Sequence, residues 1–453
     1  MASTYLTRTF QSGGNRKKWT WSGWIKRSSL TSSSNGYSLF DITGGSDTYT
    51  QLNFGIDGGG GSGSATDSLM AHSYGGDVFR TTRLLRDTNG FYHIVLAVDT
   101  TQATATNRIK LYVNGELQTY SQETNFPGQN EDLGINRNAV HTIGSQGSNA
   151  NYYFDGLMSH IHFCDNYQYQ ASEFGETDST TGEWKIKTSP SVSYGTTGFF
   201  ILKDGNSVTD QSGNSNNFTV GGGTLTKTED SPSNVFATFN PLALWNHNGT
   251  LRIPAYSNGN LTAGYDNSSY NEVAFGNLGA DKGKWYWEVK ATNVTATSGN
   301  TRIGIGDIQY TNTDPQGTTS TVYYQGDGNK KVSGSASSYG ATYTTGDIIG
   351  VAMDLDNNKL YFHKNGTYQN SGVPTSGSTG TGAIAIPTGD YIYTIQCEDY
   401  ASSGTRVMNL NTGNGYFGTT AVSSAGANAS GIGIFEYDVP TGYTALSTKG
   451  LNL

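Results

Sequence analysis

Along most of the chain, apolar and polar residues alternate with a period of two in short runs, and no stretch carries a convincing 3.6-residue apolar period. Trp19 and Trp21 alternate with Thr20 and Ser22, which predicts a first strand over 19–27. The run 91–99 (FYHIVLAVD) is nearly continuous in apolar residues, the pattern of a strand buried on both faces. Arg108 to Val113 then leads through Asn114-Gly115 into Glu116 to Tyr120. Asn-Gly suits a type I′ turn, whose two central residues need positive φ, so a hairpin is expected there. Further strands are expected over 152–164 and 198–202. In the second half, 284–290 (KWYWEVK) alternates cleanly, 302–306 is short and glycine-rich, and 346–354 is apolar and buried. A turn at 356–358 leads into 359–364, Asn365-Gly366 turns back, and 391–396 and 405–410 supply late strands.

The two halves echo one another. Each has a buried strand ending in Asp (Asp99, Asp354), then a turn, then Lys-Leu-Tyr (Lys110 to Tyr112, Lys359 to Tyr361), then Asn-Gly. The fold class read from this is all-β, as two antiparallel β-sandwiches of jelly-roll type. The first is expected over 1–219, with a Gly/Ser loop at 58–64 and a polar connection at 166–190. A linker is expected over 220–235, and the second sandwich with a C-terminal extension over 236–453.

Composition narrows the picture. The chain has 453 residues with 61 Gly and only 9 Pro, a mixture that suits many short strands joined by tight turns. Long helices would suffer from it, since each helical Gly costs about 1 kcal/mol relative to Ala. The 29 Tyr, 18 Phe and 7 Trp are ample for a core, which argues against disorder. A net charge of −9 argues against a nucleic-acid partner, and Arg16-Lys17-Lys18 reads as a solvated turn. Two cysteines, Cys164 and Cys397, give no disulfide framework. The N-terminus has no apolar signal core, and no run approaches the ~18–20 apolar residues of a membrane span. The expectation is a chain folded in a reducing cytoplasm without membrane insertion. Its Asn-x-Ser/Thr sites (Asn248, Asn260, Asn293, Asn365) are then turn chemistry rather than glycan acceptors.

Several motifs carry a resemblance. Trp24-Ile25, Tyr92-His93-Ile94-Val95, Lys110-Leu-Tyr-Val-Asn-Gly115, Thr142-Ile-Gly144 and Tyr153-Phe-Asp-Gly-Leu157 resemble the concanavalin A-like, laminin-G-like sandwich family across most of 19–175. Lys284-Trp-Tyr-Trp-Glu-Val289, Ile303-Gly-Ile-Gly306, Gly346-Asp-Ile-Ile-Gly350, Asp354-Leu-Asp-Asn357, Leu360-Tyr-Phe362 and Asn365-Gly366 resemble a SPRY domain. This order of domains, with Glu176 to Trp184 and the C-terminal Val439-Pro-Thr-Gly-Tyr443, looks like virion proteins of marine phages, including those infecting cyanobacteria. The resemblance implies a non-catalytic protein of the virion surface, a tail fibre or other appendage. Its expected partners are other virion proteins, further copies of itself, and a host-surface glycan or protein. The alternative is a capsid decoration or tail-associated component without receptor binding, and a third reading is a glycan hydrolase.

Candidate chemistry separates these readings. Hydrolases of the first fold resemble one another in a strand bearing Glu-x-Asp-x-x-Glu, whose carboxylates act as nucleophile and acid/base. Glu436-Tyr-Asp438 is the nearest match and lacks the third carboxylate, so no catalytic residue is assigned. Asp354 to Asn358 begins like a Ca²⁺ loop, but Lys359 and Asn365 stand where Gly and Glu are needed, and the SPRY turn is preferred. Ser159 replaces the acidic residue found in the laminin-G-like pattern, so no Ca²⁺ ligand is carried over. His160, His162 and Cys164 would share one face of a strand, which makes them a candidate transition-metal set, with an exposed strand face or subunit contact as the bland reading. No cofactor is implied. Turn aromatics that stack on sugar rings are the remaining candidates: Tyr74, Trp245, Tyr323, Tyr324 and Tyr339. Tyr323, Tyr324 and Asp327 are favoured because they flank Gly326 and Gly328 in an expected long loop.

Overall fold

The computed structural model describes residues 3–30, 37–42, 53–56, 66–73, 76–123, 126–147, 152–203, 208–247, 250–265, 272–294, 299–309, 319–399 and 405–452. Tyr74, Asn248 and the whole 58–64 loop lie outside them. The chain divides into two compact units, residues 1–227 with 231–233, and residues 228–230 with 234–453. Among the described residues no helix is long and apolar enough to cross a membrane.

The first unit is built from an eight-stranded and a six-stranded antiparallel sheet. The six-stranded order is Phe199–Ile201, Gly156–Asp165, Lys18–Arg27, Tyr92–Asp99, Ile109–Val113, Glu116–Leu117. Trp19 and Trp21 on the Lys18–Arg27 strand are fully buried, as are Ile94, Leu96 and Val98 opposite them, in one core with Phe40, Phe163 and Phe199. Burying each such side chain contributes roughly 1.5–3 kcal/mol. Asn114 and Gly115 take φ of 49° and 83°, the geometry of the expected turn.

Three expectations change here. The strand Tyr5–Thr9 precedes 19–27, and it pairs with Thr219–Gly222, so the start of the expected linker is an edge strand of the first unit. The hairpin arm 116–120 stops at Leu117, and Tyr120–Glu123 crosses to the eight-stranded sheet. That sheet also takes Tyr37–Ile42, Asn53–Ile56, Ser68–Ser73 and Gly76–Leu84, strands with bulges at Ser38/Phe40, Ser68/Met70 and Ala71/His72 that interrupt the period of two.

In the second unit the largest sheet runs Ala255–Ser257, Thr262–Tyr265, Arg406–Asn411, Lys284–Asn293, Ile348–Asp354, Lys359–Lys364, Thr367–Tyr368. The facing six-stranded sheet runs Glu272–Ala280, Tyr393–Asp399, Arg302–Asp307, Val322–Gln325, Asn329–Val332, Ser335–Ser338. Trp287, Ile303, Ile305, Val351, Met353, Phe362 and Leu410 fill the space between them. Among the described residues the fold is nearly all-β, with only short 3-10 turns beside the strands, as the alternation predicts.

Candidate binding surface

The sequence-selected aromatics of the second unit are not in a loop. Val322–Gln325 is a strand, and Tyr323 and Tyr324 on it are fully buried. Tyr323 donates its hydroxyl to Gln396 Oε1 at 2.6 Å, and Tyr324 donates to the Ala341 carbonyl. Tyr339 is 7% exposed, and its hydroxyl oxygen accepts the Phe362 N–H at 3.3 Å. Tyr324, Tyr339, Tyr343 and Phe362 form one ring cluster with centroid spacings of 5.1–6.1 Å. A ring enclosed in this way has no face left for a sugar, so Tyr323, Tyr324 and Tyr339 are corrected from ligand contacts to supports. Burial raises the Tyr339 phenol to about 12, in keeping with that enclosure. Trp245 opens a separate two-stranded hairpin, Trp245–His247 with Thr250–Arg252, and its side chain lies outside the described part of the chain.

What the cluster supports is a surface. Gly328 O accepts the N–H groups of Tyr339 and Gly340, and Gly326 O accepts that of Tyr343, so 339–343 clamps the turn at 326–328. Asp327 sits half-buried in that turn and accepts the Asn329 backbone N–H and side-chain amide, each at 3.0 Å. From there the hairpin Asn329–Val332 with Ser335–Ser338 turns at Ser333-Gly334, both with positive φ. All four residues of Ser335–Ser338 are exposed, and this strand ends its sheet. Of the favoured residues, only Asp327 therefore reaches a surface. The sequence signal missed was Ser333-Gly334, a two-residue turn between short polar runs.

The metal candidate also dissolves. Register slips between Ser159 and His162, and His160 takes φ of 49°, a bulge that breaks the even spacing along the strand. His160 Nδ1 shares a hydrogen bond with Ser159 Oγ at 2.8 Å, and His162 Nδ1 shares one with Tyr194 Oη at 2.9 Å. Cys164 packs in an apolar cluster with Val95, Ala97 and Phe174, where burial pushes its thiol up and away from the thiolate a metal needs. Among the described residues no group of three or more His, Cys, Asp or Glu could hold a metal. The Asp354 turn is likewise structural: Asp354 accepts Lys284 Nζ at 2.8 Å, the Asn357 N–H at 3.1 Å and the Asn357 amide at 2.8 Å.

Among the described residues, buried polar groups on the outer face of each central sheet hold a covering segment. In the first unit the indole N–H of Trp184 donates to His93 Nδ1 at 3.0 Å, while His93 Nε2 lies 2.9 Å from Ser22 Oγ. Indole nitrogen is a donor only, so Nδ1 is the acceptor and Nε2 carries the proton given to Ser22. That is the reverse of a histidine poised to take a proton from a serine. Burial holds the imidazole neutral, down at about 3, and Trp24 stacks on it at 4.7 Å. Trp184 reaches this spot from the polar connection, over Gly115 and Gly175, where a Cβ would come within 2.6 and 2.5 Å of its ring.

In the second unit Glu288 is the centre. Its carboxylate accepts the backbone N–H groups of Glu436 (2.9 Å) and Tyr437 (2.8 Å), the Asn411 amide (3.2 Å) and the Tyr286 hydroxyl (3.0 Å). The Gly366 N–H fixes His363 Nδ1 as an acceptor at 3.1 Å, so Nε2–H donates to Tyr286 at 2.7 Å and the chain of donors ends on Glu288. Burial raises Glu288 to about 7 against these hydrogen bonds. Both centres tie down a covering segment and neither opens to solvent.

Two family models match the chain. Residues 2–173 match the family model for the concanavalin A-like lectin/glucanases superfamily, and residues 284–384 match the SPRY domain model. No curated protein matches the chain. Similar solved structures include the SPRY domain of human HERC1, at 14% identity over 38% of this chain and 96% of that one with a TM-score of 0.29. A human SPRY domain matches at 17% identity, over 33% and 90%, with a TM-score of 0.25. The PSpry domain of TRIM65 matches at 16% identity, over 39% and 91%, with a TM-score of 0.28. The chain carries a concanavalin A-like, laminin-G-like domain followed by a SPRY domain, two domains of carbohydrate- and protein-binding type.

Proposed function

We propose that this chain is a non-catalytic bacteriophage virion surface protein, a tail fibre or other appendage, that attaches to a host-surface glycan or protein. The observation that carries the binding part is the hairpin Asn329–Ser338, whose outer strand Ser335–Ser338 is exposed at the sheet edge while Tyr324 and Tyr339, on either side of it in the chain, lie in a buried aromatic cluster. A rigid scaffold presenting a short polar edge suits recognition, because little conformational freedom is lost when a partner docks. The polar groups inside both units serve the fold, which supports binding over catalysis. The virion part rests on the resemblance of the domain order and of Glu176 to Trp184 to phage proteins. Many copies on one particle multiply weak contacts.

A second reading, a structural decoration or tail-associated component, is favoured by Leu242, Leu244 and Ile253. These stand 44%, 38% and 39% exposed beside the small hairpin Trp245–Arg252 and suit a contact with another virion protein. Cryo-EM of the intact particle with this chain traced tests both. Adhesion requires Asp327 and Ser335–Ser338 to face solvent on a projecting appendage. If they are buried against capsid or tail subunits in every copy, the structural reading replaces it. If the chain is absent from the particle, both fall.

A further inference from the structure

The turn that follows Ile348–Asp354 fails as a Ca²⁺ loop, but it gathers the groups for a different chemistry. Asp354 stands directly across from Lys284 on the neighbouring strand. One oxygen of its carboxylate, Oδ2, accepts both the Lys284 ammonium and the Asn357 side-chain amide, each at 2.8 Å. The other oxygen accepts the Asn357 backbone N–H at 3.1 Å, which fixes the plane of the carboxylate. The turn is pinned to the start of the strand as well. The Gly283 N–H reaches Asp356 Oδ1 at 2.8 Å, and the Leu355 N–H reaches Gly283 O at 3.0 Å. An amine and a carboxamide are thus held on a single carboxylate oxygen.

The surroundings keep water scarce. The Asp354 side chain is 0% exposed and that of Lys284 is 27% exposed. The Lys284 Nζ also lies 5.8 Å from the centroid of the buried Tyr443 ring. A proton that leaves the ammonium therefore passes to the carboxylate that already accepts it. A lysine amine freed in this way is a nucleophile. The nearest acyl carbon bearing a leaving group is Cγ of Asn357, whose Nδ2 sits on the same oxygen. Fixing two reactants and their proton carrier together is worth effective concentrations on the order of 10⁵–10⁸ M when the geometry is right.

Other lysine–carboxylate pairs among the described residues lack part of this arrangement. In the first unit Lys18 and Gln102 share Asp99 Oδ2, but at 3.4 and 3.0 Å, and the Lys18 side chain is 39% exposed. Lys364 and Asn365 reach opposite oxygens of Asp347. Lys185 meets Glu176 and Asp178 at the surface. The Lys284 site combines a fully buried carboxylate, short contacts and a carboxamide on the same oxygen.

We infer that Lys284 and Asn357 become joined by an intramolecular isopeptide bond that the chain forms by itself, with Asp354 as the proton carrier. Nζ attacks Asn357 Cγ, the Nζ–Cγ bond forms and the Cγ–Nδ2 bond breaks. The lysine ammonium gives up two protons in the process. Asp354 relays both to Nδ2, which departs as ammonium, and the carboxylate is regenerated. No oxidant, cofactor or second protein is needed. The bond closes the long loop between strand and turn, and such a closure stabilises by constraining the unfolded chain. Intact-mass spectrometry of the full chain, freshly purified and after prolonged incubation at neutral pH, tests it. The chain should become lighter than its sequence by one ammonia. Trypsin should then release Lys284 and Asn357 in one branched peptide, uncut after Lys284. Lys284→Arg keeps a cation for Asp354 and should retain the full mass. Asn357→Ala should retain it too, and so should Asp354→Asn, in which both reactants are still present. A full mass and separate peptides in the aged wild-type chain overturn the bond. An ammonia loss that survives in Lys284→Arg also overturns it, because a succinimide at an Asn-Gly pair then accounts for the mass.

Discussion

The two units place the same trio of strands at the centre of one sheet and dress its outer face differently. In the first, Lys18 pairs with Asp99, and Trp19 and Trp21 face the core; in the second, Lys284 pairs with Asp354, and Trp285 and Trp287 do the same. In each, the Asn of the Asn-Gly turn returns to the start of the middle strand. Asn114 Oδ1 accepts the His93 N–H and Asn365 Oδ1 accepts the Ile348 N–H, both at 2.8 Å. In each, an aromatic from a covering segment lies over the turn glycine, Trp184 over Gly115 and Tyr437 over Gly366. The outward positions then diverge. His93 receives one indole N–H, whereas Glu288 collects two backbone N–H groups of its cover. The shared inward pattern builds the sheet, and a few outward residues decide what covers it and how firmly.

Acid should separate the units most. Burial depresses His93 and His141 from 6.5 to about 3, His162 well below 6.5, and His363 to about 4. Each histidine is neutral when folded, so its contribution is complete above pH 6.5. It is lost as the pH falls towards the folded value, because the unfolded chain takes the proton first. Asp41 and Glu288 run the opposite way: burial raises both to about 7, so their contributions are present at low pH and lost as it rises through 7. The first unit holds three of these histidines against Asp41, and the second holds one against Glu288 and a raised Asp399. On moving from about pH 7 to about pH 4.5, calorimetry should show the first unit's transition falling steeply, at roughly 2 kcal/mol per histidine, while the second barely moves. Equal shifts in both would break the contrast.

Glu288→Ala should cost the second unit about 3–5 kcal/mol, because it leaves buried donors without an acceptor. Denaturant unfolding followed at both transitions should show the first unit unchanged. A loss near 1 kcal/mol would mean that Phe435, Val439 and Tyr443 hold the cover by packing alone. Trp184→Ala should cost the first unit about 3 kcal/mol, at the low end for a tryptophan since it is half-buried. Trp184→Phe should recover most of that and retain a deficit of about 1 kcal/mol for the unsatisfied His93 Nδ1. The smallest difference is expected where the units are most alike. Asn114→Ala and Asn365→Ala should each cost about 2 kcal/mol, a left-handed residue plus a hydrogen bond, and should match within the error of the melts.

Much of this sameness is legible in the residues. Trp-x-Trp alternation, strands ending in Asp, and Asn-Gly turns each have a local physical cause, and those elements stand where the pattern puts them. The strands between 37 and 84 do not announce themselves, because bulges shift the alternation mid-strand. Val322–Gln325 is buried on both faces and only four residues long, so it lacks a period, and its flanking glycines mimic a loop. Even spacing alone grouped His160, His162 and Cys164, and a single left-handed residue undoes it.

The pairing of Tyr5–Thr9 with Thr219–Gly222 sets where the chain enters and leaves the first unit side by side at one sheet edge. The second unit does likewise, with Phe236 bridged to Ser447 and Val235 exchanging hydrogen bonds with Thr448. Each unit is therefore a cassette that a longer chain can carry without threading through it. Tension applied across such a unit opens its edge like a zipper, one hydrogen bond at a time, rather than shearing a whole strand at once. Under load the terminal strands give way first and the tryptophan-lined core lasts longest.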